Sequence, residues 1–255
     1  MRPWRCVCDF PPKRKFGKPV DTQTRHALKQ DRFITATTSG LDWVGQNRAY
    51  VIRFTIGVVV ALVVIIGGIF LYEQRSSAAD QLLGQGLTIY ETPIASPEQP
   101  ATPGETSYPT AKDRAKAAYP IFTQAASQYS WLHAGHMARY FAGLTAQDMG
   151  NTSEAEADLN DVARSGGSNL SATAKVALAN LYAQTGRTSQ AVEEYRDIIA
   201  HPSTTVPKAS AQLMLAQLYE TTQPEEARRL YAQIKDQDKD SEAAQIATQK
   251  LSGAK

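Results

Sequence analysis

The sequence predicts an all-α protein: one membrane-spanning helix followed by a short α-solenoid. Three observations lead there. Residues Phe54 to Tyr72, FTIGVVVALVVIIGGIFLY, run for nineteen positions without a charged side chain. From Lys112 onward the chain is rich in alanine, with apolar residues recurring at three- and four-residue spacings and little that favours strands. Finally, the C-terminal half repeats itself with a period of 36 residues.

The apolar run comes first. At about 1.5 Å of rise per residue it spans about 28 Å as a helix, close to the hydrocarbon thickness of a bilayer. Lipid offers backbone amides no partner, so a lone crossing segment has to be helical. A soluble core helix of this length would show a polar face, and this run has none. Ser76-Ser77-Ala78 resembles a cleavage site, but the run is too long and too far from the start for a cleaved signal. The expectation is an uncleaved signal anchor over residues 51–73, with a basic, largely disordered tail over 1–50.

Charge then assigns the sides. Ahead of the anchor, eleven lysines and arginines face four aspartates, giving +7, which leaves the rest of the chain at −5 of the total +2. Arg48 and Arg53 flank the entry, whereas Arg75 is the one base between the run and Lys112. Such bias predicts a cytoplasmic tail and an exported body. The tail's bases are scattered through about fifty residues rich in proline and glycine, too little to build a nucleic-acid-binding fold, so no nucleic-acid partner is expected. Cys6 and Cys8 are the two cysteines; two thiols are short of the four ligands of a structural zinc site, and His26 is remote. Val20, just ahead of the polar stretch from Asp21, reads as an alternative start, with residues 1–19 an upstream extension.

Past the anchor, residues 74–111 hold a first helix and a loop interrupted by Pro93, Pro97, Pro100, Pro103 and Pro109. Residues 78–91 are expected to pair with 112–129 through Ala118 and Phe122. The repeats fill 112–255. Gly150 and Gly186, Ala155 and Ala191, Leu159 and Tyr195, and Gly143 and Ala179 are each 36 apart, and Ala191–Ala227 and Tyr195–Tyr231 continue the register. In the best copy Ala179 and Tyr182 share a face of a first helix and Gly186 permits a tight turn. Ala191 and Tyr195 then pack a second helix that Pro202 stops. A third copy centres on Ala216, Tyr219, Ala227 and Tyr231, with Gln223-Pro224 in place of the glycine. A final helix near Ser241–Leu251 would cap the end.

This unit resembles the tetratricopeptide repeat: a small residue three before Tyr182, Gly186 four after it, Ala191 five further and Tyr195 four beyond. The larger order of basic tail, single anchor, proline-interrupted first pair and exported repeats resembles the ancillary SecYEG translocon subunit family of bacterial inner membranes. That resemblance implies a non-enzymatic scaffold whose partners are translocon subunits, periplasmic chaperones or exported polypeptides. A scaffold role in cell division or envelope assembly would use the same surface. Metal or haem delivery is a poorer fit, because the exported part is short of histidine and cysteine.

No HExxH, phosphate loop or GxSxG elbow occurs, so neither catalysis nor a cofactor is expected. His133 and His136 share helical spacing, with Asp148 a distant third ligand, but they read as ordinary surface side chains. Glu154, Glu156, Asp158 and Asp161 read as a solvated acidic face, and Tyr129, Trp131, Tyr140 and Phe141 as core aromatics. Repeat geometry points Met137, Tyr140, Leu144, Thr173, Val176, Asn180, Leu213 and Gln217 into a concave groove. That set is apolar and amide-bearing and lacks the bases that clamp a C-terminal carboxylate, so it suits extended or amphipathic segments. Washing membranes with alkaline carbonate is expected to leave the intact chain in the pellet; its release would overturn the anchor.

Overall fold

A computed structural model of the chain describes residues 48–95, 107–237, 239 and 241–253. The tail's cysteines, Val20, and Pro97, Pro100 and Pro103 lie outside these. Among the described residues there are nine helices and no strand. They are α1 (Arg48–Tyr90), α2 (Ala111–Gln128), α3 (His133–Met149), α4 (Thr152–Ser165) and α5 (Gly167–Gln184), then α6 (Thr188–Ala200), α7 (Lys208–Thr222), α8 (Pro224–Gln237) and α9 (Glu242–Gly253). Two units divide the chain, residues 1–68 and 69–255, and α1 is continuous from the first into the second.

In the first unit the described part is helix. α1 is the one helix among the described residues long and apolar enough to cross a membrane. From Phe54 to Tyr72 each of its side chains is exposed.

In the second unit each helix from α2 onward packs chiefly on its chain neighbours, with α3 also touching α5 and α7 touching α9. The last turns of α1 join this unit. Phe122 of α2 is fully buried and stacks on Phe141 of α3 with ring centres 5.4 Å apart, while Tyr90 of α1 meets both rings edge-on. Gly86 faces Phe122, where a β-carbon would lie 2.5 Å from the ring. Residues 78–90 therefore do pack with α2 through Ala118 and Phe122. α2 opens with an N-cap: Thr110 Oγ1 accepts the Asp113 N–H at 3.1 Å and donates to the Asp113 carboxylate at 2.7 Å. The loop ahead is clipped at its base, where Tyr108 N–H donates to Pro93 O and Ala95 N–H to Tyr108 O.

The 36-residue register has a physical counterpart in two turns. Gly150 and Gly186 end α3 and α5 with φ of 85° and 75°. In the first, Gly150 N–H bonds Gln147 O and Asn151 N–H bonds Ala146 O; in the second, Gly186 N–H bonds Ala183 O and Arg187 N–H bonds Tyr182 O. The offsets are identical, and the left-handed conformation is what makes glycine the fitting residue. The third turn has no glycine because α8 starts at once on Pro224, a residue suited to a first helical position. Ala155, Ala179, Tyr182, Ala191, Tyr195, Ala216, Tyr219, Ala227 and Tyr231 are all buried, as is Gly143 against Leu159; Pro202 is exposed just past α6.

Two expectations require correction. Tyr129 is buried, but Trp131 is 60% exposed, because the turn from α2 to α3 holds Tyr129 and Leu132 inward instead. The acidic residues of α4 are more than a solvated face. Arg139 of α3 pairs with Asp158 at 3.3 Å and Asp161 at 3.0 Å, and Glu156 receives Arg187 at 2.8 Å and the Tyr182 hydroxyl at 3.1 Å.

Gly150→Ala and Gly186→Ala should each cost about 1–2 kcal/mol from the forced left-handed backbone, and nearly additively because the turns are separate. Urea unfolding of the full-length protein in detergent micelles checks both.

Candidate functional site

A groove needs side chains that successive helices present to a common side, and helices of alternate order supply them here. An open depression of about 260 Å³ is lined by Tyr90 from the end of α1, Tyr140 and Leu144 from α3, and Thr173, Val176 and Asn180 from α5. Five of the eight residues singled out for the groove thus meet in one cavity. Met137 instead packs half-buried on Val162, Leu170 and Ala174. Leu213 is 9% exposed and belongs to the main buried cluster, at the end where α9 packs on both α7 and α8. Gln217 is exposed and lies outside the cavity.

The spacing argument did not reach Tyr90, Gln147, Asp148 or Gln184, which also line the cavity. Gln147 Nε2 donates to Gln184 Oε1 at 3.0 Å across α3 and α5, closing one wall with amides. Asn180 Oδ1 accepts from the Tyr195 hydroxyl at 2.9 Å, which ties the groove wall to the buried face of α6.

The α1 end of the cavity carries the charge. The Arg114 guanidinium lies 4.9 Å from the Tyr90 ring centre and donates to Thr92 O at 3.4 Å. Asp148 stands near both the Tyr90 hydroxyl and Arg114. Partial burial raises the Asp148 carboxyl above the usual carboxylate range, against the opposing pull of Arg114 and the Tyr90 hydrogen bond. Burial likewise raises Tyr90 and Tyr140, so both phenols keep their protons at neutral pH. The site can thus offer one carboxylate, several amides and an apolar floor from Leu144 and Val176. These groups suit binding an extended chain by side-chain anchors.

His133 and His136 do not converge with Asp148. His136 Nδ1 lies 3.4 Å from Ser165 Oγ, and among the described residues no three histidine, cysteine or acidic side chains are grouped to hold a metal. No family model, curated protein or solved structure matches this chain.

A carboxyl raised in the folded state binds more protons than in the unfolded chain. Stability therefore falls as pH rises from the ordinary aspartate range, about 3.9, through the folded value. Asp148→Asn should flatten the Tm-against-pH curve in that window, and an unchanged slope would count against the burial of this group.

Proposed function

We propose that this protein is a non-enzymatic, membrane-anchored scaffold. In this reading a short tetratricopeptide-repeat solenoid is held at the periplasmic face of a bacterial inner membrane by the span Phe54–Tyr72. Its groove takes extended segments of partner proteins.

The observation that carries the proposal is the origin of the cavity lining. α1, α3 and α5 are every second helix along the chain, the members that a repeat of helix pairs would turn toward its concave side. The matched left-handed turns at Gly150 and Gly186 support the same reading. The fully exposed apolar run supports the anchor.

The mechanism is tethering. An anchored groove is confined to the membrane plane, which raises its effective concentration toward membrane-bound or emerging chains without adding any contact. Leu144 and Val176 would take apolar anchors, and the Gln147–Gln184 pair and Asn180 would meet the partner's backbone or amides. Asp148 would favour a segment bearing lysine or arginine. The resemblance to ancillary SecYEG subunits makes translocon subunits, periplasmic chaperones and exported polypeptides the proposed partners.

A photo-reactive residue placed at Tyr140 or Val176 in the full-length protein, irradiated in living cells, tests this. Adducts with SecY, SecE or a periplasmic chaperone are the expected result. Adducts confined to division or envelope-assembly proteins would overturn the translocon assignment, and no adduct at either position would overturn the groove.

A further inference from the structure

A helical protein of this kind hides its large apolar side chains, and C-terminal to the apolar run only two among the described residues stay exposed: Ile94 at 40% and Trp131 at 60%. Trp131 sits in the short turn between α2 and α3, and that turn is built to hold it out. On either side of it Tyr129 and Leu132 are buried with Ala79 and Ala134, and they pack on Ala78, Leu82 and Leu83 of α1. Leu132 N–H donates to Tyr129 O at 2.9 Å and closes the turn. The turn lies so close on α3 that a β-carbon at Gly135 would fall 1.9 Å from the Tyr129 carbonyl oxygen. With Tyr129 and Leu132 pinned inward, the indole between them faces out.

Where it lies gives the exposure a meaning. The indole centre is 5.8 Å from the ring of Tyr72, tilted by 57°. Tyr72 is itself 53% exposed and is the last residue of the apolar run. Trp131 is far along the chain but comes back to the level at which the lipid-facing surface ends. That is the depth where hydrocarbon gives way to headgroups, and amphipathic tryptophan and tyrosine rings are favoured there.

We infer that Trp131 and Tyr72 form an interfacial anchor that seats the turn between α2 and α3 in the headgroup layer of the bilayer. The inference rests on the reading of Phe54–Tyr72 as a membrane span and adds a second lipid contact to it. Continuity with the span selects lipid as the occupant. So does the setting: Ser130, His133, Glu73 and Arg75 beside the two rings are polar and exposed, which suits a hydrated interface better than a dry protein contact. A single helix leaves whatever it carries free to tilt against the membrane; a second point of attachment removes much of that freedom.

The chain has three tryptophans, Trp4, Trp43 and Trp131. Full-length protein carrying Trp4→Phe and Trp43→Phe therefore reports on Trp131 alone. It would be reconstituted into phosphatidylethanolamine–phosphatidylglycerol vesicles whose lipids bear a nitroxide either near the headgroup or at mid-chain. The expected result is severalfold stronger quenching by the shallow label than by the deep one, with weak quenching by aqueous iodide. Strong iodide quenching with no response to either lipid label, in vesicles that retain the protein through flotation, would overturn the anchor and leave the span standing. Failure of the protein to float with the vesicles would overturn both. A photo-reactive residue at position 131 that captures protein in native membranes, while the lipid labels stay silent, would replace lipid with a protein partner.

Discussion

Close approach of helices across alanine is the constraint on which the rest of the second unit depends. Ala118, Ala142, Ala155, Ala179, Ala191 and Ala216 are essentially inaccessible to solvent. Each contributes only about 0.8 kcal/mol from its one buried methyl. Their larger effect is to bring neighbouring backbones near enough for a few big side chains to be surrounded on all sides, where dispersion is collected. Phe122, Leu159 and Leu178 are such side chains, and each is fully buried. A methylene added at an alanine would push the helices apart and forfeit contacts around these residues.

The same narrow spaces also determine where polar groups go. Tyrosine fills a gap that leucine would leave short, but its hydroxyl must find a partner at the edge of the core. Tyr182 reaches Glu156, Tyr195 reaches Asn180 and Tyr231 reaches Glu220. Glu220 of α7 also pairs with Lys250 of α9 at 3.0 Å, so one carboxylate meets groups from both of the last two helices. Hydrogen bonding from Tyr231 and then Lys250 lowers the Glu220 carboxyl below its ordinary value. Asn180 lines the cavity while its oxygen is held by Tyr195, so packing between α5 and α6 orients a group of the cavity wall.

Much of this could be read from the sequence, for reasons that differ by element. The apolar run needs no tertiary information, since its composition alone excludes a polar face. The turns at Gly150 and Gly186 were legible because a left-handed residue leaves a chemical mark. Five residues that line the cavity, Tyr140, Leu144, Thr173, Val176 and Asn180, could be picked out by spacing, whereas Met137, Leu213 and Gln217 lie elsewhere. Leu213 joins the buried cluster of α7, and no spacing rule says that α9 will also pack on that helix. Tyr90 comes from the helix that carries the apolar run, outside the repeat register, so periodicity could not reach it. The ion pairs of Arg139 with Asp158 and Asp161 depend on the angle at which α3 and α4 cross. Trp131 went astray because aromatic spacing speaks of a helix face, whereas this residue lies in a turn where Tyr129 and Leu132 take the buried positions.

The neighbour-on-neighbour packing from α2 to α9 also bears on how the chain acquires its shape. Nearly every partner of a given helix lies within the next few dozen residues, so little loop entropy has to be lost before contacts form. Synthesis delivers the chain from its N-terminus, and the aromatic trio of Tyr90, Phe122 and Phe141 is complete before α4 begins. Each later helix then meets a surface already in place. Such a chain can mature in step with its own emergence, burying each apolar face soon after it appears.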